Sequence, residues 1–372
     1  MKEGWEYRRF ESCLIKVSKQ VQVKSKDYKK EGKFPIVSQE AELISGYWDD
    51  EAIVYKHKEP VVIFGDHTKN IKYVDFDFVV GADGTHILST KNDIVPKFFY
   101  YVLKSIKLRE LGYARHYKLL KEEYIPVPPL SEQQSIVDYL DSAFAKLDSM
   151  KANAEKALNE ANALFQASLK EMLEPKEGWE EKTLGELATD MYRGSGIKRD
   201  QVTKEGTPCV RYGEIYTTYN VGFETCVSHT KEEYISSPKY FEHGDLLFAI
   251  TGESVEDIGK TIAYLGNEKC LCGGDIICMK HKQNPKFLAY ALSTPDAIRQ
   301  KGMGKTKLKV VHTNAPSLKA ISIPVPTLAE QQSVVDSLDS LKSKVDRLQA
   351  NFEKISQECD ALKQAILRQV FE

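Results

Sequence analysis

Two kinds of hydrophobic pattern alternate along the chain. Residues 1–124 carry short apolar runs at Val61–Phe64, Tyr73–Val80 and His86–Leu88, broken by turn signals at Gly65-Asp66 and Asp83-Gly84, and these predict strands. Pro96–Ser105, PKFFYYVLKS, has helical spacing and aromatic weight and predicts a core helix. From Ser131 to Leu173 the period changes. Val137, Phe144, Lys151, Leu158, Phe165 and Met172 fall on one heptad position, and Leu140, Leu147, Ala154, Ala161 and Ser168 on the other seam position. No glycine interrupts the run and Pro175 stands just past it. At about 1.5 Å per residue such a helix is a rod of roughly 60 Å. A rod with one apolar seam needs a partner, and the small residues Ala154, Ala161 and Ser168 allow close approach.

The pattern then repeats. Residues 181–320 return to strand-like runs at Gly244–Ile250, Thr261–Leu265 and Asp275–Met279, with turns at Gly252, Gly266 and Gly273-Gly274, and PKFLAYALST (285–294) parallels PKFFYYVLKS. The last segment, carrying Val334, Leu338, Leu341, Val345, Leu348, Phe352, Ile355, Cys359, Leu362 and Ile366, predicts a second rod in a less regular register. IPVPPLSEQQSIVDYLDS (125–142) recurs as IPVPTLAEQQSVVDSLDS (323–340), with fourteen of eighteen positions identical, and KEGWE at 2–6 recurs at 176–180. In each copy the spaced prolines hold the backbone extended, and Ser131 or Ala329 followed by Glu-Gln-Gln launches the long helix. The expected organisation is α+β: globular domains at 1–124 and 175–320, and helical segments at 125–174 and 321–372.

If the two rods pair as an antiparallel coiled coil, the first carries the chain away from one globule and the second returns it. The halves are then related by a pseudo-two-fold axis. Strands of duplex DNA are related by two-folds as well, so two dissimilar globules held by a spacer suit two unlike half-sites.

Charge supports this reading in its distribution rather than its sum. The formal net charge is −2. Residues 1–124 hold 22 Lys+Arg against 19 Asp+Glu and residues 175–320 hold 20 against 19, whereas 125–174 and 321–372 hold 4 against 8 and 6 against 8. Just ahead of each IPVP element lies a basic stretch: seven cations and one acid from Lys97 to Lys121, and six cations with no acid from Arg299 to Lys319.

Signals for catalysis are poor. Gly304-Lys305-Thr306 would place the first glycine of a phosphate-binding loop at Arg299, so that motif fails. Asn284-Pro285-Lys286-Phe287 lacks the second proline of the amino-methyltransferase N-P-P-F/Y element and reads better as a helix start. His67, His86, His116 and His312 have no neighbouring carboxylate or cysteine set. The seven cysteines form no paired C-x-x-C set, which predicts buried free thiols and no zinc site. The absence of a long apolar run or a signal-like start predicts a cytoplasmic protein without membrane contact. The chain reads as non-enzymatic.

The paired proline–EQQ elements, each followed by a long helix, resemble the two conserved regions of the specificity subunit of type I restriction–modification systems. The segments 64–88 and 244–265 look like that family's variable target-recognition domains. The resemblance covers nearly the whole chain. It implies a scaffold whose two target-recognition domains each read one half of a bipartite, asymmetric sequence in double-stranded DNA. It also implies that the helices act as spacer and docking surface for two copies of a methyltransferase subunit, with restriction subunits joining later. The methyltransferase would bring S-adenosylmethionine.

On that reading the candidate DNA-facing residues are His67, Thr68, Lys69, Arg115, His116 and Tyr117 in the first half, and Arg193, Lys198, Arg211, Tyr212, Lys305 and Lys307 in the second. Arginine can fork onto guanine, lysine serves phosphates, and tyrosine can stack or bond to the backbone. The spacer and subunit interface would use Val137, Leu140, Phe144, Leu147, Leu158, Phe165, Leu338, Val345, Leu348, Phe352 and Leu362. Two alternatives stand beside this: a DNA-binding or decoy specificity protein acting alone, and a coiled-coil scaffold to which DNA is irrelevant.

Overall fold

The computed structural model describes residues 2–109, 112, 115–255, 257–304 and 311–372. The fold is α+β, and the chain divides into two units: residues 1–155 with 351–372 (unit 1), and residues 156–350 (unit 2).

Unit 1 is built on two sheets. Leu14–Ile15, Thr85–Thr90, Val61–Gly65 and Ile71–Val74 lie in that order in an antiparallel sheet. The second sheet places Phe78–Gly81 parallel to both Gln22–Val23 and Phe34–Val37, with Gly46–Trp48 beyond. The single apolar run Tyr73–Val80 is therefore two strands in two sheets. The acids Asp75 and Asp77 mark the turn between them, which the hydrophobic pattern alone conceals. Unit 2 repeats the plan. Ala188–Arg193, Ile276–His281, Leu246–Ala249 and Thr261–Tyr264 take the same order, and Gly222–Phe223 adds a fifth strand. Its second sheet pairs Thr207–Val210 in parallel with Cys270–Cys272.

The repeated sequences are repeated because they touch one another. Glu6–Arg9, at the end of the first KEGWE, pairs antiparallel with Tyr124–Val127, and Glu6 faces Val127. Glu180–Thr183 pairs with Ser322–Val325 in the same register, Glu180 facing Val325. A two-stranded ribbon tolerates the prolines because it has free edges.

The first glutamine of each EQQ is wholly buried. Gln133 accepts from the Val95 main-chain N–H at 2.8 Å and donates to the carbonyls of Asp93 (3.0 Å) and Pro128 (2.8 Å). Gln331 accepts from Asn284 N–H at 2.9 Å and donates to Pro326 O at 2.9 Å and Gln283 Oε1 at 2.7 Å. One side chain thus ties the start of the long helix to the start of the short helix, Pro96–Ser105 or Pro285–Ala291. Asn284 caps the latter, accepting from Phe287 N–H at 3.1 Å, so the N-P-K-F element is a helix start. A turn further on, Asp141 takes Lys97 (2.7 Å) and the Tyr101 hydroxyl, while Asp339 takes Lys286 and the Tyr290 hydroxyl (2.8 Å).

The long helices are Leu130–Met172 and Leu328–Phe371. Residues 130–155 of the first belong to unit 1 and 156–172 to unit 2. In the first helix the expected register holds from Val137 to Ser168: all ten seam positions are buried or half-buried. Val137, Leu140, Leu147, Leu158 and Phe165 are buried, and Phe144 is half-buried. Within unit 1 the two helices run antiparallel. Leu140 shares a core with Leu367 and Phe371, whereas Leu147 O lies 3.6 Å from Cys359 Sγ.

The second helix keeps its heptad at Leu338, Val345, Leu348, Phe352 and Cys359, and then departs from it. Leu362, expected in the seam, is 49% exposed, and burial passes instead to Lys363, Leu367 and Phe371. Steps of four replace alternating steps of three and four, while Lys363 still pairs with Asp148 of the first helix. Phe371 meets Phe98 edge-on at 5.6 Å, inside the core formed by Phe10, Phe64, Phe99 and Leu120.

Candidate nucleic-acid interface

Four of the six positions expected in the second half converge in unit 2. Arg193, Lys198, Arg211 and Tyr212 line one cleft of about 710 Å³, together with Arg199, Ile197, Gly213 and Gly273–Asp275. The floor is made by two loops in close contact. Gly194 N–H donates to Ile276 O at 2.9 Å and Ser195 N–H to Cys272 O at 2.7 Å. A Cβ on Gly194 would stand 2.2 Å from Gly273 O, so only glycine permits the approach. Arg193 ends its strand and is 63% exposed, with its Nη2 on Asp275 Oδ1 at 2.8 Å and its Nε on Gly274 O. Arg211 is held at its main-chain N–H (3.0 Å) and its Nε (3.4 Å) by Glu214. Glu214 is itself buried and takes a further bond from Ser228 Oγ at 2.6 Å. Lys198 and Arg199 stand exposed on the rim. Lys305 and Lys307 lie outside the described residues.

In unit 1 the two expected groups meet at one carboxylate. Asp66, 3% exposed, accepts from Tyr117 N–H at Oδ1 (2.8 Å), has His86 Nε2 3.3 Å from Oδ2, and lies 3.9 Å from Arg115 Nε. Its carbonyl accepts from His116 N–H at 2.8 Å, and His116 Nδ1 lies 3.1 Å away. Gln39 clamps the neighbouring turn, accepting from His67 N–H at 3.1 Å and from the Thr68 hydroxyl at 2.6 Å. Lys69 adopts a left-handed φ of 59° within that turn.

These contacts correct part of the expectation. His116, expected to face DNA, is 1% exposed and anchors its segment to Asp66 instead. Thr68 is exposed but commits its hydroxyl to Gln39. Arg115 projects, 70% exposed. Tyr117 is half-buried, stacked on His86 at 3.9 Å with rings 8° apart. Burial raises its phenol pKa, so it stays a hydroxyl donor at neutral pH.

Tyr117 and His86 also line a cleft of about 460 Å³ with Lys16, Lys19, Gln20 and Gln22. This cleft and the arginine cleft share one lining element. Each lies beside the loop that follows the first strand of the four-strand plan, after Ile15 in one unit and Arg193 in the other. Lys16, Lys19, His86 and Arg199 also line these clefts and are not among the candidates read from the sequence. The glycine-spaced cations of RGSGIKR were the available signal for Arg199; the two lysines in unit 1 carry no comparable one.

The model of the type I restriction modification DNA specificity domain matches residues 2–160 and again 176–357. The chain belongs to that family. Its matches among curated specificity-family proteins include the specificity subunit of the Escherichia coli type I enzyme EcoR124I/EcoR124II, 25% identical over 336 residues, covering 85% of this chain and 81% of that protein. The StySPI specificity subunit of Salmonella potsdam is 26% identical over 66% of this chain and 56% of its own length. The EcoKI specificity subunit of Escherichia coli K12 is 23% identical, with the same coverage of each. Among solved structures, a chain from work on complex assembly and conformational transition of the type I R-M system aligns over 100% of this chain and 98% of itself, at 19% identity and a TM-score of 0.72. The HsdS subunit of Thermoanaerobacter tengcongensis aligns over 100% and 97%, at 19% identity and a TM-score of 0.53. The α+β layout with two long helices is thus the specificity-family fold.

Within this specificity-family chain all seven cysteines are buried and free. Burial pushes the Cys209 thiol up to about 12, which makes it unreactive. Among the described residues no three His, Cys, Asp or Glu side chains gather as metal ligands, and no helix is long and apolar enough to cross a membrane.

Proposed function

We propose that this specificity-family chain reads a bipartite, asymmetric DNA sequence, one half through each unit. The same reading has its long helices dock two methyltransferase subunits, to which restriction subunits are added, in the cytoplasm. S-adenosylmethionine would be bound by the methyltransferase, and this chain would contribute recognition rather than catalysis. The observation that carries the reading is that the loop after the first strand lines a cleft in each unit and that the linings are unlike: four cations in unit 2, lysine, glutamine, histidine and tyrosine in unit 1. Unlike linings on a shared plan suit unlike half-sites.

The test is co-expression with a type I methyltransferase subunit, followed by purification and methylome sequencing of the host. The expected result is a stable complex and one methylated motif with two unlike halves. A chain that holds DNA but takes no methyltransferase would favour the stand-alone reading. A self-associated chain without DNA retention would favour the scaffold. In a salt series, replacing Lys198 and Arg199 by Ala should flatten the slope of log affinity against log salt by about one to two. Lys305 and Lys307 stay in the proposed footprint and are tested the same way.

A further inference from the structure

We infer that the half-site read by unit 2 contains guanine, recognised by the terminal guanidinium edges of Arg193 and Arg211. This rests on the DNA-reading function proposed above and adds the base that one cleft selects.

A guanidinium has two edges that can donate in pairs. One is formed by Nε and Nη2, the other by Nη1 and Nη2. In Arg193 the first edge is already spent, Nε on Gly274 O and Nη2 on Asp275 Oδ1 at 2.8 Å. In Arg211 Nε is 3.4 Å from Glu214 Oε1, and the main-chain N–H of the same residue is 3.0 Å from Oε2. No described residue takes the terminal edge of either arginine. Both side chains line the same cleft, with 63% and 31% of their surfaces exposed.

Such tethering does two things. It fixes the plane of the fork before any ligand arrives, which removes rotamer entropy that a free arginine would lose on binding. It also leaves the one edge whose two parallel N–H groups match a pair of acceptors side by side. In the major groove that pair is O6 and N7 of guanine. A phosphate would satisfy the edge too, but phosphate contacts need no carboxylate prop, and Lys198 and Arg199 on the rim supply them. The prop of Arg211 is rigid because Glu214 is buried and held by Ser228. The cleft of unit 1 has no arginine in its lining, so the device belongs to one half of the molecule.

The experiment uses the chain in complex with its methyltransferase and a pool of random-sequence duplex DNA, scored for bound and for methylated sequences. Wild type, Arg193→Gln, Arg193→Lys and Arg211→Gln are compared. The expected result is a motif with guanine, on either strand, in one half. Each Gln variant should lower discrimination at a guanine position by roughly 5- to 150-fold, the range for losing a bidentate pair. Arg193→Lys should lose the same discrimination while keeping the salt dependence, because it keeps the charge without the fork. Selection at the other half-site must be unchanged, which controls for misfolding. A bound pool whose motif lacks guanine, or whose guanine is indifferent to all three variants, overturns the inference alone. A pool neither bound nor methylated by wild type overturns the DNA-reading function, and the inference with it.

Discussion

The frame of unit 1 and the frame of unit 2 agree side chain by side chain, while their clefts share almost nothing. Gln133 and Gln331 each tie the long helix to the short one, and Asp141 with Lys97 and Tyr101 makes the same bonds as Asp339 with Lys286 and Tyr290. The loops after Ile15 and Arg193 sit in the same place on the same plan and present lysines and glutamines in one case, arginines over glycines in the other. The residues that repeat are those that bond to one another. The residues that diverge are those that line the clefts.

If that division is right, matched substitutions in the frame should cost the same in both units. The largest effect is expected at the buried glutamines. Gln133→Leu or Gln331→Leu leaves a main-chain N–H and two oxygens without partners, costing roughly 3 kcal/mol or more by urea unfolding. A clear inequality between the two would break the comparison. Next come the helix ends: Leu367→Ala should cost about 2–4 kcal/mol, since Leu367 is 2% exposed in the unit 1 core.

A third measurement uses pH. Lys301 in unit 2 is fully buried, its Nζ on Leu292 O at 2.7 Å and Thr261 Oγ1 at 3.1 Å, and burial lowers its pKa to about 7 from 10.5. Between those values the unfolded chain holds the proton that the folded one has released. Stability should therefore rise with pH across that window, by about 1.4 kcal/mol per unit from this group. Lys301→Met should remove that share of the slope, and an unchanged slope would show the amine to be charged in the fold. Smaller effects are expected at Asp141→Asn and Asp339→Asn, about 1 kcal/mol or less each, because both pairs are partly exposed. Leu362→Ala should change stability by less than about 0.5 kcal/mol, which would seal its exclusion from the seam.

The frame was legible in the sequence because it obeys local rules twice over. A heptad from Val137 to Ser168 needs no tertiary information, and a duplicated IPVP–EQQ element announces a duplicated plan. The register shifts at Leu362 because the second helix there packs on a globular core, through Phe98 and Phe371, as well as on the first helix, a change of neighbours that periodicity cannot express. The clefts were half legible. Arg193, Lys198, Arg211 and Tyr212 were found by residue type, but their convergence depends on Gly194 lying against Gly273, two positions far apart in sequence. His116 was misjudged because a histidine within a basic run looks exposed. The carbonyl and carboxylate of Asp66, fifty residues away, draw its segment inward.

Unit 1 is discontinuous in sequence and unit 2 is not, and this bears on how the chain can be made. Phe10, Phe98 and Leu140 are synthesised before unit 2, yet Leu367 and Phe371, which share their core, are translated only after it. Domains tend to fold in the order they leave the ribosome, at about 5–20 residues per second. Here unit 1 is begun before unit 2 and can be finished only after it. A nascent chain therefore carries an open apolar face throughout the synthesis of unit 2, and for that interval it depends on whatever shields such faces in the cell.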